Sequence, residues 1–154
     1  MKQLGLIDVK KCEILIEIEP KIRMLGISKV QNWVVFRKEK FNEKMNKYLR
    51  NQLEIPLLAL SWAIDTLETG FGKSHDEGGL PRDVLHAETV IDGEAIYLRR
   101  TMNCGAPYQQ GYTLKNFSRS SYIDPDEYQS VQLPDYLLFD EGLLDKLKLI
   151  ASGI

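Results

Sequence analysis

Cys104 and His86 are the side chains from which this sequence could assemble a nucleophilic centre. A thiol becomes a nucleophile when a neighbouring base or a helix N-terminus lowers its pKa. Asn103-Cys104-Gly105 reads as a turn that would present the thiol, and His86 is the base that the fold would have to bring to it. His86-Ala87-Glu88 has the His-x-Glu spacing of zinc deaminases, whose site also needs a downstream Pro-Cys-x-x-Cys. Here the chain offers only Cys104, followed by Gly105-Ala106-Pro107, and one thiolate with one imidazole does not make a three-ligand site. His75-Asp76-Glu77 has no second cluster at ligand spacing. Gly72-Lys73-Ser74 ends like a phosphate loop, but Leu67 stands where its first glycine belongs, and Glu77-Gly78-Gly79-Leu80-Pro81 follows where a helix is required. These are fragments of motifs, and they imply neither a metal nor a cofactor.

The richer stretch is Arg99-Arg100, then Tyr108, Tyr112, Lys115, Arg119 and Tyr122. Arginine and tyrosine anchor interfaces because they join contact area to directed hydrogen bonds. Cations interleaved with aromatics also suit single-stranded nucleic acid. Against that reading, Lys plus Arg is 20 and Asp plus Glu is 22, a net charge of −2 that draws neither nucleic acid nor anionic membrane. The expectation is a small, soluble, non-enzymatic binding or regulatory protein that meets a protein partner through loop 70–82 and the region from Arg99 to Tyr122. The alternatives are a cysteine-dependent enzyme using Cys104 with His86, and a nucleic-acid-binding regulator.

A chain of 154 residues, 44% hydrophobic, is enough for one domain with its own core, taken as 1–154. Its N-terminal apolar stretch is cut by Asp8 and is too short for a signal-peptide core. The run from Ile55 to Ile64 is half the length that spans a bilayer, so the expected address is the cytoplasm. Two cysteines, Cys12 and Cys104, read as small buried hydrophobes.

Cys12, Ile14, Ile16 and Ile18 alternate with Glu13, Glu17 and Glu19, a period-two strand ended by Pro20. Leu15 suggests partial cover on the acidic face. A second strand is expected near Val30 to Arg37, with the Gly26 segment turning the chain between them. Phe41, Met45, Tyr48, Leu49 and Leu53 predict a helix. Leu57, Leu60, Ile64 and Leu67 predict another, capped at Gly70, with a buried strand over 57–64 as the alternative. Asp92-Gly93 predicts a two-residue hairpin turn that sets His86 opposite Arg99 and Ala87 opposite Leu98. A strand follows near Gly111 to Phe117, then a loop over 118–134. Last comes a helix with Leu143, Leu144, Leu147 and Ile150 buried, Asp140 as N-cap and Gly153 as stop. No internal repeat is visible. The fold class is α+β: an antiparallel sheet, made of the N-terminal strand pair and the Asp92-Gly93 hairpin, packed against two or three helices.

Gly26 to Val34, with Asn32-Trp33-Val34, and then Ile55-Pro56-Leu57-Leu58-Ala59-Leu60-Ser61-Trp62 resemble the RsaM-type repressors of bacterial quorum sensing. Those proteins carry a Glu-Trp-Val-like segment and an apolar run ending in Gly-Trp-Asp-Trp. Here Ser61 replaces the glycine, Ala63-Ile64 replace the Asp-Trp, and a lysine-rich insertion stretches the spacing. The resemblance covers about a quarter of the chain. It implies a small regulatory protein without a conventional DNA-binding motif, adds Trp33 and Trp62 to the binding candidates, and makes 57–64 a strand.

Overall fold

The computed structural model describes residues 3–19, 22–81, 83–104 and 109–153. Among the described residues, eight strands form two antiparallel meanders of four. The first runs β1 (Ile14–Glu19), β2 (Arg23–Val30), β3 (Trp33–Asn42), β4 (Lys47–Pro56). The second runs β5 (His86–Ile91), β6 (Glu94–Thr101), β7 (Gly111–Ser120), β8 (Tyr128–Pro134). A helix follows each sheet: α1 (Leu57–Asp65), prolonged by a turn over Thr66–Phe71, and α2 (Leu143–Ala151), preceded by a turn over Tyr136–Asp140. The expected single sheet on two or three helices is thus corrected to two sheets with two α-helices.

The largest correction is the helix expected over 41–53. It is the β3–β4 hairpin, with Asn42 opposite Lys47 and Phe41 opposite Tyr48, their rings 5.1 Å apart. Five apolar residues met the helical spacing by coincidence. Leu53 and Ile55 are fully buried, while Gln52 and Glu54 alternate with them on the other face, which is a strand period. The Gly26 segment is not a turn but the middle of β2. Gly26 packs so closely on Cys12 that a Cβ there would lie 2.5 Å from Sγ. Leu15 is exposed rather than covered, and β1 ends at Glu19; Pro20 lies outside the described residues. The loop expected over 118–134 contains the end of β7 and all of β8.

Other expectations match. The Asp92-Gly93 turn has both φ values positive and gives the expected register, and α2 buries the four expected residues. Residues 57–65 are helical, so the strand implied there by the resemblance is absent. Gly70 does not cap that helix, since the chain coils on to Phe71, and α2 is entered from Gly142 at φ +77° rather than capped by Asp140.

The two halves are one topology used twice. Trp33 pairs with Val30 and Pro56; Gly111 pairs with Thr101 and Pro134. Leu57 N donates to Asn32 O at 2.8 Å, and Asp135 N donates to Gln110 O at 3.0 Å. Each meander therefore turns into its helix region at the same place, after a proline that has no N–H to extend the ladder. In this register Phe36 corresponds to Leu114, Leu53 to Val131 and Ile55 to Leu133, all buried. The inner faces of both sheets and the buried stripes of α1 and α2 form one core.

Candidate functional site

The structure does not join Cys104 to His86. Cys104 is buried, its Sγ lies 3.4 Å from the Tyr112 carbonyl, and burial pushes its thiol up to about 11. His86 lies on the exposed edge strand, stacked on Tyr97 at 5.7 Å and 3.8 Å from Glu88. Among the described residues no three His, Cys, Asp or Glu side chains converge as metal ligands. No helix among them is long and apolar enough to cross a membrane.

The arginine–tyrosine stretch is divided. Arg99 is exposed beside the aromatic row of Tyr97, Phe117 and Tyr128 on the outer face of the second sheet. Arg100 makes a two-point bond to Asp135, at 2.6 and 2.7 Å, and lies over the Tyr112 ring at 4.8 Å; that bond raises its pKa. Tyr112 is buried, edge-on to Phe71, and desolvation raises its pKa. Trp62 packs against the core. Tyr108 lies outside the described residues.

Arg119 and Tyr122 turn inward onto Glu54. This carboxylate is fully buried at the point where the edge of β4 meets the second sheet. Its Oε1 accepts from Leu4 N (2.9 Å), Gln129 Nε2 (3.2 Å) and Arg119 Nη1 (3.3 Å). Its Oε2 accepts from Gln52 Nε2 (2.7 Å) and from the Tyr122 hydroxyl, whose pKa is raised by burial and by that carboxylate. Arg119 also bonds Glu94, and its guanidinium lies 4.2 Å from the Trp33 ring centroid. Asn116 Nδ2 donates to the Glu54 carbonyl (2.8 Å), and Gln129 Oε1 accepts Glu54 N (2.9 Å). Every strong donor and acceptor here has a partner, so this end of the interior is filled and tied.

The opposite end differs among the described residues. Between the inner face of the first sheet and the edge of β8 lies a cavity of about 420 Å³. Leu25, Leu49 and Val131 give it apolar walls, while Arg23, Lys38 and Lys40 put three cations on it. Lys38 and Lys40 share the face of β3 that carries Val34 and Phe36 in the core, because side chains two apart project together. Arg23 is engaged by Glu19 at 2.7 Å. Burial lowers the pKa of Lys38, and the field of Glu127 opposes that shift. Asn51, Gln109 and Gln132 add polar groups to the lining, Glu39 adds a carboxylate that Arg50 engages at 2.9 Å, and Cys104 lies at its border.

No family model matches this chain, and neither a curated protein nor a solved structure does.

The cavity offers two things at once: apolar surface for a small molecule to cover, and an ammonium partly stripped of water. Sequence reasoning missed Lys38, Lys40, Asn51, Glu54 and Gln129. A signal existed in Val34-Val35-Phe36-Arg37-Lys38-Glu39-Lys40. As a strand, that run puts Val34, Phe36, Lys38 and Lys40 on one face, lysines following core residues. Assigning the next segment to a helix hid it.

Proposed function

We propose that this chain is a small non-enzymatic binding protein, regulatory in role, whose ligand is a small molecule held in the cavity between β2–β4 and β8. One observation carries the proposal: beyond Phe36 the same face of β3 carries half-buried Lys38 and exposed Lys40 beside a cavity of about 420 Å³ among the described residues. That volume falls within the roughly 300–1,000 Å³ of small-molecule sites. Cations on an inner face cost folding free energy unless something answers them. Binding moves here from the arginine–tyrosine stretch because Arg100, Tyr112, Arg119 and Tyr122 are engaged in internal contacts. The cysteine alternative loses support from a thiol pushed up to about 11.

The test uses N-phenyl-1-naphthylamine, a neutral dye that fluoresces in apolar surroundings. Wild type enhances its emission saturably. Leu49→Trp, which fills the cavity from β4, and Ile123→Trp, at a residue that lines it, abolish the enhancement while the urea midpoint stays near that of wild type. A wild type that gives no saturable signal refutes the proposal.

A further inference from the structure

The duplication lets the cavity be compared with its own counterpart in the other half. Leu25 pairs with Lys38 as Ile96 pairs with Asn116, and Lys38 pairs with Asn51 as Asn116 pairs with Gln129. Two residues before Leu25 and Ile96 stand Arg23 and Glu94. Glu54 pairs with Val35 as Gln132 pairs with Thr113, and Val35 corresponds to Thr113 in the same register. The cavity lined by Arg23, Lys38, Asn51 and Gln132 thus matches the site built from Glu94, Asn116, Gln129 and Glu54.

In the second half that site is occupied by the chain itself. The Arg119 guanidinium sits between the carboxylates of Glu94 and Glu54, over the apolar Trp33 ring at 4.2 Å, with the two amides bonding around it. In the first half the equivalents of Glu94 and Asn116 are Arg23 and Lys38, the equivalent of Glu54 is the neutral Gln132, Lys40 adds another cation, and the one carboxylate of the lining, Glu39, is engaged by Arg50 at 2.9 Å. The sign of the lining is reversed. An acidic lining holds a cation on an apolar surface in one copy; a basic lining surrounds an apolar space in the other.

We propose that the ligand of this cavity is an amphipathic organic anion, an apolar chain or ring whose carboxylate is taken by the ammonium of Lys38 with Lys40 beside it. This rests on the cavity reading above and adds the ligand class to it. Arg23 contributes field rather than a bond, since Glu19 engages it. Asn51 holds Ser121 Oγ at 2.9 Å and accepts from Tyr122 N at 3.0 Å, so it supports the wall and leaves Lys38 as the anchor. The apolar part lies against Leu25, Leu49 and Val131.

Decanoate and decanol separate the two layers of the argument, because they share a chain and differ in the head group. Each competes against N-phenyl-1-naphthylamine at pH 7 and low salt. Decanoate displaces the dye from wild type about tenfold more tightly than decanol, the scale of one charge-assisted bond. Lys38→Met brings decanoate down to the decanol value and leaves decanol unchanged; Lys38→Gln serves if the Met variant does not fold. Dye uptake with decanoate no better than decanol, or a Lys38 variant that binds both as wild type does, overturns the anion assignment and leaves the cavity reading standing. A wild type that takes up neither dye nor decanol removes both.

Discussion

Arg119→Ala tests the tie between the two halves most directly. The side chain is almost fully buried, bridges Glu54 and Glu94, and lies over Trp33 at 4.2 Å. Truncation leaves two carboxylates facing each other without their cation, one of them fully buried, and a single broken buried pair costs about 3–5 kcal/mol. Loss of the cation–π contact adds about 1 kcal/mol. Some of that cost is returned by water entering the space vacated, so the expected loss is about 4 kcal/mol. At roughly 2–4 °C per kcal/mol for a chain of this size, the melting temperature falls by about 10 °C. Urea unfolding followed by tryptophan fluorescence reads both the midpoint and the slope, and Trp33 reports on the site itself. Arg119→Lys keeps the charge but not the planar fork that reaches two carboxylates and stacks on indole, so it falls between wild type and Ala. A loss below about 1 kcal/mol for Arg119→Ala refutes the reasoning, because it would mean that the buried carboxylates have other adequate partners. Arg119→Ala combined with Glu94→Gln should lose less than the two single losses added together, since the pair is one interaction.

Burial raises the Cys104 thiol from about 9 to about 11, so the folded chain keeps that proton after the unfolded chain has lost it. Its contribution is fully present below pH 9 and is lost as pH rises through 11, a loss of about 2–3 kcal/mol. Wild type should therefore destabilise more steeply than Cys104→Ala between pH 9 and 11 in urea titrations; parallel curves would show that the thiol does not titrate in that way. At pH 8 iodoacetamide should alkylate native Cys104 far more slowly than free cysteine, at a rate set by unfolding. Gly26→Ala sets a Cβ 2.5 Å from Cys12 Sγ and 3.1 Å from Val9 Cγ2, and overpacking of this kind costs about 1–3 kcal/mol. Adding Cys12→Ala should recover most of the lost melting temperature, and no recovery would place the strain elsewhere.

What could be read from the residues depended on how far each signal reached along the chain. The Asp92-Gly93 turn sets its register from two residues with positive φ, and α2 shows its buried stripe within nine positions. Both are local. The β3–β4 hairpin is closed by Asn42 and Lys47 with Asn46 at φ +48°, a turn whose residues are also common on helix surfaces. Between two lysine-rich strands it presented apolar residues at both periods. The strand β8 reads Tyr128-Gln129-Ser130-Val131-Gln132-Leu133-Pro134, and its apolar signal is confined to Val131 and Leu133 beside the proline that ends it. The polar site was hidden for another reason. Glu54, Gln52, Asn116 and Gln129 are the residue types ordinarily given to solvent, and only the docking of one sheet edge on the other sheet buries them. The candidate site was illegible because its lysines are separated from Val131 and Gln132 by some ninety positions of chain, on the order of the whole second half.

The duplication explains why polar residues persist inside. In the first half, the strand that leads into the helix region, β4, presses its edge on the second sheet, and an edge carries unpaired N–H and C=O groups. Gln129 and Asn116 answer those of β4 by bonding Glu54 N and O. An apolar inner face at that position would leave them unsatisfied, at a cost of about 1–3 kcal/mol each. Polar side chains on the inner face of the second sheet are therefore a requirement of this docking. Once present, they can be closed on a side chain of the chain itself, as Arg119 does, or left facing a space. The first half takes the second course, with lysine where the other has asparagine and arginine where it has glutamate. Burial disfavours the charged form of that lysine while Glu127 favours it, and an anion bound in the cavity, as proposed above, would favour it further and stabilise the folded chain.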